Sequence, residues 1–393
     1  MSAGLRYLLF AIVIYGTTAA VQWGLWRWLH RALPRWLERR RKAVRAVLVV
    51  LFVMPMTREA SFFFPRLFFF WPFTAGFGLL WHLTACLGLA GVGLGYALSK
   101  VLARPAGNPP VALASPERRQ ALERLGGAVA LSASGAVLGW GAVRGRFEWS
   151  VVEVPIKLAR LPRALDGFTI VQISDIHVGP FVGERELDMG LSLVRTIRAD
   201  LIAITGDIID ADPAYVPLAA AKLGRLSARE GVVCVPGNHE YHAGAAEVMG
   251  GMRRAGIDVL LNRGKVVAAG DGGLAVLGVD DLWARDTHMG PGPDLARAKS
   301  TVRPDLATVL LAHQPRFVKV ASAEAIDLQL SGHTHGGQIN PGFRPIDLFF
   351  SYVAGRYDVG ATQLYVNRGF GTVGPPARVG APPEITKIVL VAG

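Results

Sequence analysis

Five short clusters in this chain carry side chains that bind metals. They are Asp175-Ile176-His177, Gly206-Asp207-Ile208-Ile209-Asp210, Gly237-Asn238-His239-Glu240, His313, and Gly332-His333-Thr334-His335. Carboxylate, imidazole and carboxamide together suit borderline divalent ions such as Mn, Fe, Zn or Ni better than Ca. His333 and His335 would point to opposite faces of a regular strand, but in a glycine-rich loop they can serve two neighbouring metals. A carboxylate can bridge two cations, and Asp207 sits in a tight Gly-Asp turn suited to that. Two metals about 3.5–4 Å apart can activate one hydroxide and neutralise a phosphoryl group in transfer. A lone Asp-x-His, a lone Gly-Asp or a lone His313 is an ordinary turn or core feature. Five such clusters in order point to one site.

The segments before these clusters explain how they could converge. Phe168–Ile173, Leu201–Ile204, Val232–Val235, Ala307–Leu311 and Leu328–Leu330 are short apolar runs that read as strands. Helical spacing over Glu184–Arg198 and Leu218–Arg229 falls between them. Such alternation implies sheets covered by helices. In open α/β sheets ligands gather beyond the carboxyl ends of the strands, where all five clusters fall. Five of the nine histidines lie in the clusters. His30 and His82 lie in the apolar half; His242 and His288 are candidate pocket residues, with surface placement the expected one for each. Cys86 and Cys234 cannot form a disulfide framework and read as packed thiols.

Composition divides the 393 residues in two. The chain is 51% hydrophobic and 18% charged, with a net charge of +12. Residues 1–150 hold 18 Lys/Arg against 5 Asp/Glu, whereas residues 151–393 hold 24 against 25. The basic excess thus accompanies apolar segments, as in membrane proteins. A nucleic-acid binder would place a basic face on its folded domain, so no nucleic-acid partner is expected. Tyr7–Trp26 is uncharged and long enough to cross a bilayer, with Trp23, Trp26 and Trp28 suited to an interfacial belt. A basic loop is expected over 27–45, then an apolar stretch Ala46–Thr57, an uncharged span Leu67–Ser99, a second basic loop over 100–124, and an apolar stretch Leu125–Val143 rich in small residues. If Ala46–Thr57 crosses, both basic loops are cytoplasmic, the chain makes four passes, and the following domain lies outside. Arg58 and Glu59 would then sit at an outer interface or pair. Arg118-Arg119 before an apolar stretch also resembles a twin-arginine export signal, though the pair serves equally well as cytoplasmic flank charges.

Taken in order, D-x-H, G-D-x-x-D, G-N-H-E, H and G-H-x-H resemble the calcineurin-like metallophosphoesterases, over roughly residues 168–393. Gly332–Gln338, Asn367-Arg368-Gly369 and Pro382-Pro383-Glu384 resemble segments of membrane-anchored bacterial members. The resemblance implies a four-layer α/β/β/α sandwich catalytic domain over 150–393, behind a helical transmembrane region over 1–145 of about four spans. It implies that Asp175, His177 and His335 hold one metal, that Asn238, His313 and His333 hold a second, and that Asp207 bridges them. His239 would be the general acid, oriented by Asp210, with a metal-bridging hydroxide attacking phosphorus. Family protein phosphatases follow G-D-x-x-D with an arginine that grips phosphate. Ala211 stands there instead, which favours a phosphodiester or another small or lipid-linked phosphoester. Phe343, Pro345, Leu348, Phe349, Phe350 and Tyr352 could line an apolar lip or belong to the core. The expected setting is the bacterial cytoplasmic membrane, with the catalytic domain on its periplasmic face. Two competitors are weaker. A non-catalytic membrane sensor or scaffold of this fold should have lost ligands, and none is missing. A transporter should carry more spans and more intramembrane charge.

Overall fold

The computed structural model describes residues 3–57, 71–102, 116–270 and 272–393. Arg58, Glu59 and the prolines at 105, 109 and 110 lie outside them. The chain forms two compact units, Met1–Ala142 with Gly374–Ala377, and Val143–Val373 with Arg378–Gly393.

The first unit is helical, with α1 (Ala3–Ala32), α2 (Pro34–Val53), α3 (Trp71–Leu102) and α4 (Pro116–Val143). The basic segment 27–45 is not a loop. It continues α1 to Ala32 and, after a break at Leu33-Pro34, forms the first half of α2. Arg, Lys, Leu, Ala and Glu are all good helix formers, and proline is tolerated in the first turn. α3 and α4 approach closely where small residues meet: a Cβ on Gly91 would come within 2.9 Å of Ala130, and one on Gly88 would strike Leu131. Among the described residues two helical stretches, Pro72–Leu94 and Arg124–Phe147, are long and apolar enough to cross a membrane.

The second unit is built on two six-stranded sheets. The first contains β1 (Ser150–Leu158), β2 (Thr169–Ile173), β3 (Leu201–Thr205), β4 (Val232–Val235), β5 (Asp258–Val259) and β12 (Glu384–Ala392), in the order β1-β12-β2-β3-β4-β5. The second contains β6 (Arg263–Ala269), β7 (Gly272–Gly278), β8 (Ala307–Leu311), β9 (Leu328–Ser331), β10 (Gly355–Val359) and β11 (Thr362–Val366), in the order β10-β11-β9-β8-β7-β6. Pairing is parallel from β2 to β5 and across β7, β8, β9 and β11.

These parallel strands are buried on both faces, which is why they read as unbroken apolar runs. In β2, Ile170 joins an apolar cluster with Leu201, Val235, Val276, Val309 and Leu330, drawn from both sheets. Val171 and Ile173 instead join Leu187 and Leu191 of α5 (Glu184–Thr196) and Met252 of α8 (Ala245–Arg254). On the second sheet Ala275, Leu277 and Leu310 join Leu282 of α9 (Leu282–Asp286), Leu295 and Ala298 of α10 (Leu295–Ser300) and Ala321 of α11 (Val318–Ala323). Gln172 ties the sheets together beneath the strand ends, its Nε2 donating to Thr205 Oγ1 at 3.0 Å and Ser331 O at 2.9 Å. The helix expected over 218–229 is α6 (Val216–Leu223) and stops earlier. Gly224 caps it with a bond to Ala220 O, and a tight turn then sends Leu226 into the core.

Candidate metal centre

Each parallel strand ends in a turn that lifts one or two polar side chains over the sheet edge. After β2, β3 and β9 the lifted residues are themselves left-handed, whereas Asn238 after β4 and His313 after β8 are not. Asp175, His177 and Asp207 have φ of 51°, His333 74° and His335 52°. Left-handed backbone costs an ordinary residue about 1 kcal/mol or more. It persists here because the neighbouring chains fit too closely for any other path. A Cβ on Gly332 would stand 1.9 Å from Ser174 Oγ and 2.1 Å from Asp175 Oδ2. Backbone bonds from Asp175 to Gly206 O and from His177 to Asp207 O, both 3.0 Å, lock the first two turns together.

The donor atoms converge in groups. Asp175, His177 and His335 form one, with ligand atoms within 4.8 Å of one another. His177 Nε2 lies 3.0 Å from His335 Nε2, and His335 Nε2 lies 3.4 Å from Asp175 Oδ1. Asp207, His313 and His333 form another. His313 Nε2 lies 3.2 Å from both Asp207 Oδ2 and His333 Nδ1. His313 Nδ1 faces Thr205 O at 2.8 Å, which leaves Nε2 as the inward lone pair of the neutral ring. A third group, His177, Asp210 and His239, adjoins the first.

Asn238 opens α7 (Asn238–Ala243), and the next backbone N–H, that of His239, donates to Asp207 Oδ1 at 2.9 Å. The His239 Nδ1 contact is mainly with the backbone carbonyl of Asp210, the carboxylate lying 3.5 Å away. Asp210 thus addresses His239 more through its main chain than its side chain. Of the remaining histidines, His242 is exposed with its ring 5.6 Å from His239, and His288 is exposed. Cys234 is buried in β4 and its thiol is pushed up by burial.

Electrostatics match this geometry. Burial pushes Asp175 up to about 6, and the neighbouring Asp207 charge adds to the rise. Burial would also raise Asp207, but His313 and His239 outweigh it and hold that carboxyl well below its usual range. Burial drives His177 and His333 down to about 3, so both are neutral and ready to donate lone pairs. Burial opposes charge on His239, yet Asp207 and Asp210 raise it to about 9. His313 is raised well above its usual value by Asp207 against the effect of burial, so a cation bound at Nε2 would have to take the place of a proton. Asn238 Oδ1 is buried and meets no donor, as a carboxamide oxygen reserved for a cation would. The donor set and this orphaned acceptor fit divalent cations.

The sequence assigns no role to two supporting residues, Glu240, which closes the Gly-Asn-His-Glu motif, and Arg378, which lies outside every motif. Glu240 is fully buried and accepts backbone N–H bonds from Gly237, Asp207, Ile208 and Ile209, at 2.6 to 3.2 Å. It therefore shapes the whole 206–210 turn. Burial and the Asp207 charge push it up to about 7 against the pull of these donors. Arg378 is fully buried beneath the 333–338 loop. It donates to His335 O at 2.9 Å and Arg368 O at 2.7 Å, and reaches Gly371 O as well, with its Nη2 3.1 Å from His335 Nδ1. Burial pulls it down to about 9, and Asp175 opposes that pull. The late motifs hold this arginine's acceptors: Asn367 Oδ1 receives Gly369 N–H at 2.7 Å, and Glu384 pairs with Arg368 and Tyr365.

The calcineurin-like phosphoesterase family pattern matches residues 168–337, which contain the described groups. A transmembrane protein with metallophosphoesterase domain from Bos taurus is 38% identical over 254 residues, covering 62% of this chain and 57% of that protein. The uncharacterized metallophosphoesterase YkuE of Bacillus subtilis is 35% identical over 288 residues, covering 70% of this chain and 97% of that protein. An uncharacterized metallophosphoesterase of Aquifex aeolicus is 31% identical, covering 62% of this chain and 92% of that protein. With motif order, site and near-complete coverage of a relative in agreement, the chain belongs to the calcineurin-like phosphoesterases. Its match spans little more than half the length of the bovine relative.

Glu240→Gln would turn an amide NH2 toward backbone N–H donors. Loss of charged hydrogen bonds of this kind costs about 2 kcal/mol or more. The variant is expected to melt earlier and to retain less metal after dialysis, measured by thermal unfolding and elemental analysis. Unchanged melting and metal content would remove Glu240 from this role.

Proposed function

We propose that the chain is a dinuclear metal-dependent phosphohydrolase acting on a small or lipid-linked phosphodiester. The observation carrying this reading is the pair of ligand groups on either side of Asp207: Asp175, His177 and His335 to one side, His313 and His333 to the other, with Asn238 Oδ1 unsatisfied nearby. The first three residues would hold one cation, Asn238, His313 and His333 the other, and Asp207 both. Such cations, Mn, Fe, Zn or Ni, supply Lewis acidity and a nucleophile at neutral pH. The protein's own contribution is protonic and positional. His239, held at Nδ1 by the Asp210 carbonyl, keeps Nε2 for the proton passed to the leaving oxygen. The exposed Ala211 offers no guanidinium to grip a phosphoprotein, which supports the diester assignment.

The proposed partners are the lipid bilayer and the phosphoester. The helical unit would cross the membrane about four times, in the manner of a bacterial inner-membrane protein, with a four-layer α/β/β/α catalytic domain on the periplasmic face. The basic excess around α1, α2 and the 100–124 segment supports this orientation.

The purified chain with added Mn is expected to hydrolyse bis-p-nitrophenyl phosphate, and Asp207→Ala to lower turnover about a thousandfold or more. Full activity in the variant would exclude Asp207 as the shared ligand, and no hydrolysis by the wild type would favour a non-catalytic scaffold. His239→Ala should slow esters with alkyl leaving groups far more than p-nitrophenyl esters, because a good leaving group needs no proton. Equal losses on both series would rule out the general-acid role. A reporter enzyme fused after Gly393 should be active only outside the cytoplasm; a cytoplasmic signal would overturn the four-span arrangement.

A further inference from the structure

The segment between the 333–338 ligand loop and β10 holds apolar side chains in water. Phe343 is 62% exposed, Leu348 82%, Phe349 80% and Phe350 39%. Exposed apolar residues occur singly on most proteins, but four within eight residues, beside a site, do not. The sequence left these side chains between core and lip. The structure places three of the four well outside the core, and none of them belongs to an apolar core cluster.

This segment is held firmly against the ligand loop. Asn340 Nδ2 donates to Gly336 O at 2.9 Å at one end, and Thr334 Oγ1 donates to Val353 O at 2.5 Å at the other. Ile346 lies directly under Gly337, where an added Cβ would stand 3.0 Å from its Cγ2. The 3₁₀ turn Pro345–Leu348 is followed by bonds from Phe349 and Phe350 N–H to Ile346 O, at 2.9 and 3.0 Å. The Phe350 ring then meets the ring of His333, centroids 5.8 Å apart and edge to face. The charges of the segment answer one another, Arg344 Nε lying 3.0 Å from Asp347 Oδ2. An exposed apolar strip of sequence, Phe343 to Phe350, therefore meets a residue of the candidate metal centre through Phe350, and its only charges, Arg344 and Asp347, pair with each other.

We propose that this strip seats the apolar tail of the substrate, so that the preferred phosphodiester carries an alkyl or acyl chain on the ester that is not cleaved. Four side chains are too few for a protein partner, which needs about 800 Å² on each side. The balanced charge also offers nothing to an anionic headgroup. Continuity with His333 commits the strip to whatever is bound at the metal centre. The inference rests on the hydrolytic reading above.

The test uses the full chain in detergent with Mn, and two substrates that share the p-nitrophenolate leaving group: the methyl and the hexyl diesters of p-nitrophenyl phosphate. Burial of five extra methylenes against the strip should lower KM for the hexyl ester at least about fivefold relative to the methyl ester. In the doubly substituted Leu348→Ser, Phe349→Ser protein the ratio of the two kcat/KM values should fall toward one. Because it is a ratio, partial loss of folded protein does not alter it. Val320→Ser, at an exposed apolar residue of α11 that is separate from the strip in sequence, should keep the wild-type ratio. A wild-type ratio near one, or a preference that the double substitution leaves intact, would overturn the proposal while leaving the phosphoesterase reading in place. No turnover of either ester by the wild type would overturn both.

Discussion

Asp175 and Asp207 end adjacent parallel strands, are both removed from water, and repel one another. Much of the architecture around them answers that repulsion. Asp175 receives the His333 N–H twice over, at 2.8 and 3.0 Å, and Asp207 receives that of His239. His313 lies against Asp207, and the Arg378 charge acts on Asp175 from beneath. A third buried carboxylate, Glu240, adds to the negative potential rather than relieving it. The surplus is a setting that would favour divalent cations, since burying charges in this number is tolerated only when opposite charge and hydrogen bonds accompany them. The left-handed turns follow from the same demand. A strand that ended in ordinary extended backbone would carry its carboxylate past the sheet edge and away from the others.

The two buried ions that support the centre use the main chain in opposite senses. Glu240 is surrounded by N–H groups, Arg378 by carbonyls, and neither makes its principal bonds to a side chain of opposite charge. Each ion thereby reads the path of a loop rather than one residue on it. Glu240 fixes the turn carrying Asp207 and Asp210. Arg378 joins the turn carrying His335 to the segment 368–371, whose Phe370 and Gly371 N–H groups bond back to Ser174 and Asp175 carbonyls. The two loops are thus coupled through backbone, and the side chains between them are left available to ligands.

The second unit is legible in the sequence because its central strands are buried on both faces and stop at carboxylate, carboxamide and imidazole side chains. β4 and β8 have the limits that their apolar runs suggest, and β2, β3 and β9 differ by a single residue at one end. Their spacing in a glycine-rich loop allows His333 and His335 to serve two neighbouring metals, but which histidine joins which group is implied only by the family resemblance; in the structure they lie in different groups. Other features had no local signal. β1 alternates exposed with half-buried or buried residues, as an outer strand does, and so shows no unbroken apolar run. Arg378 lies in a Pro-Pro-Ala-Arg-Val stretch with no metal-binding pattern, and its bonds reach carbonyls that only the fold brings near. The role of Glu240 likewise needs a turn thirty residues away in the chain. In the helical half, charge density suggested a loop over 27–45, whereas helix propensity, undisturbed except at Pro34, governs the backbone.

The place of β12 has a consequence for biogenesis. This strand, Glu384–Ala392, lies between β1 and β2, parallel to one and antiparallel to the other. The two strands that follow the helical segment most closely therefore cannot pair with each other and must wait for a partner made more than two hundred residues later. Such long-range closure is slow, and an incomplete chain exposes open strand edges meanwhile. A ribosome stalled before residue 384 would release a chain whose first sheet has a gap beside the Asp175 strand. A chain ending before residue 378 would also lack Arg378, so such prematurely terminated products are expected to be incompletely folded and prone to aggregation.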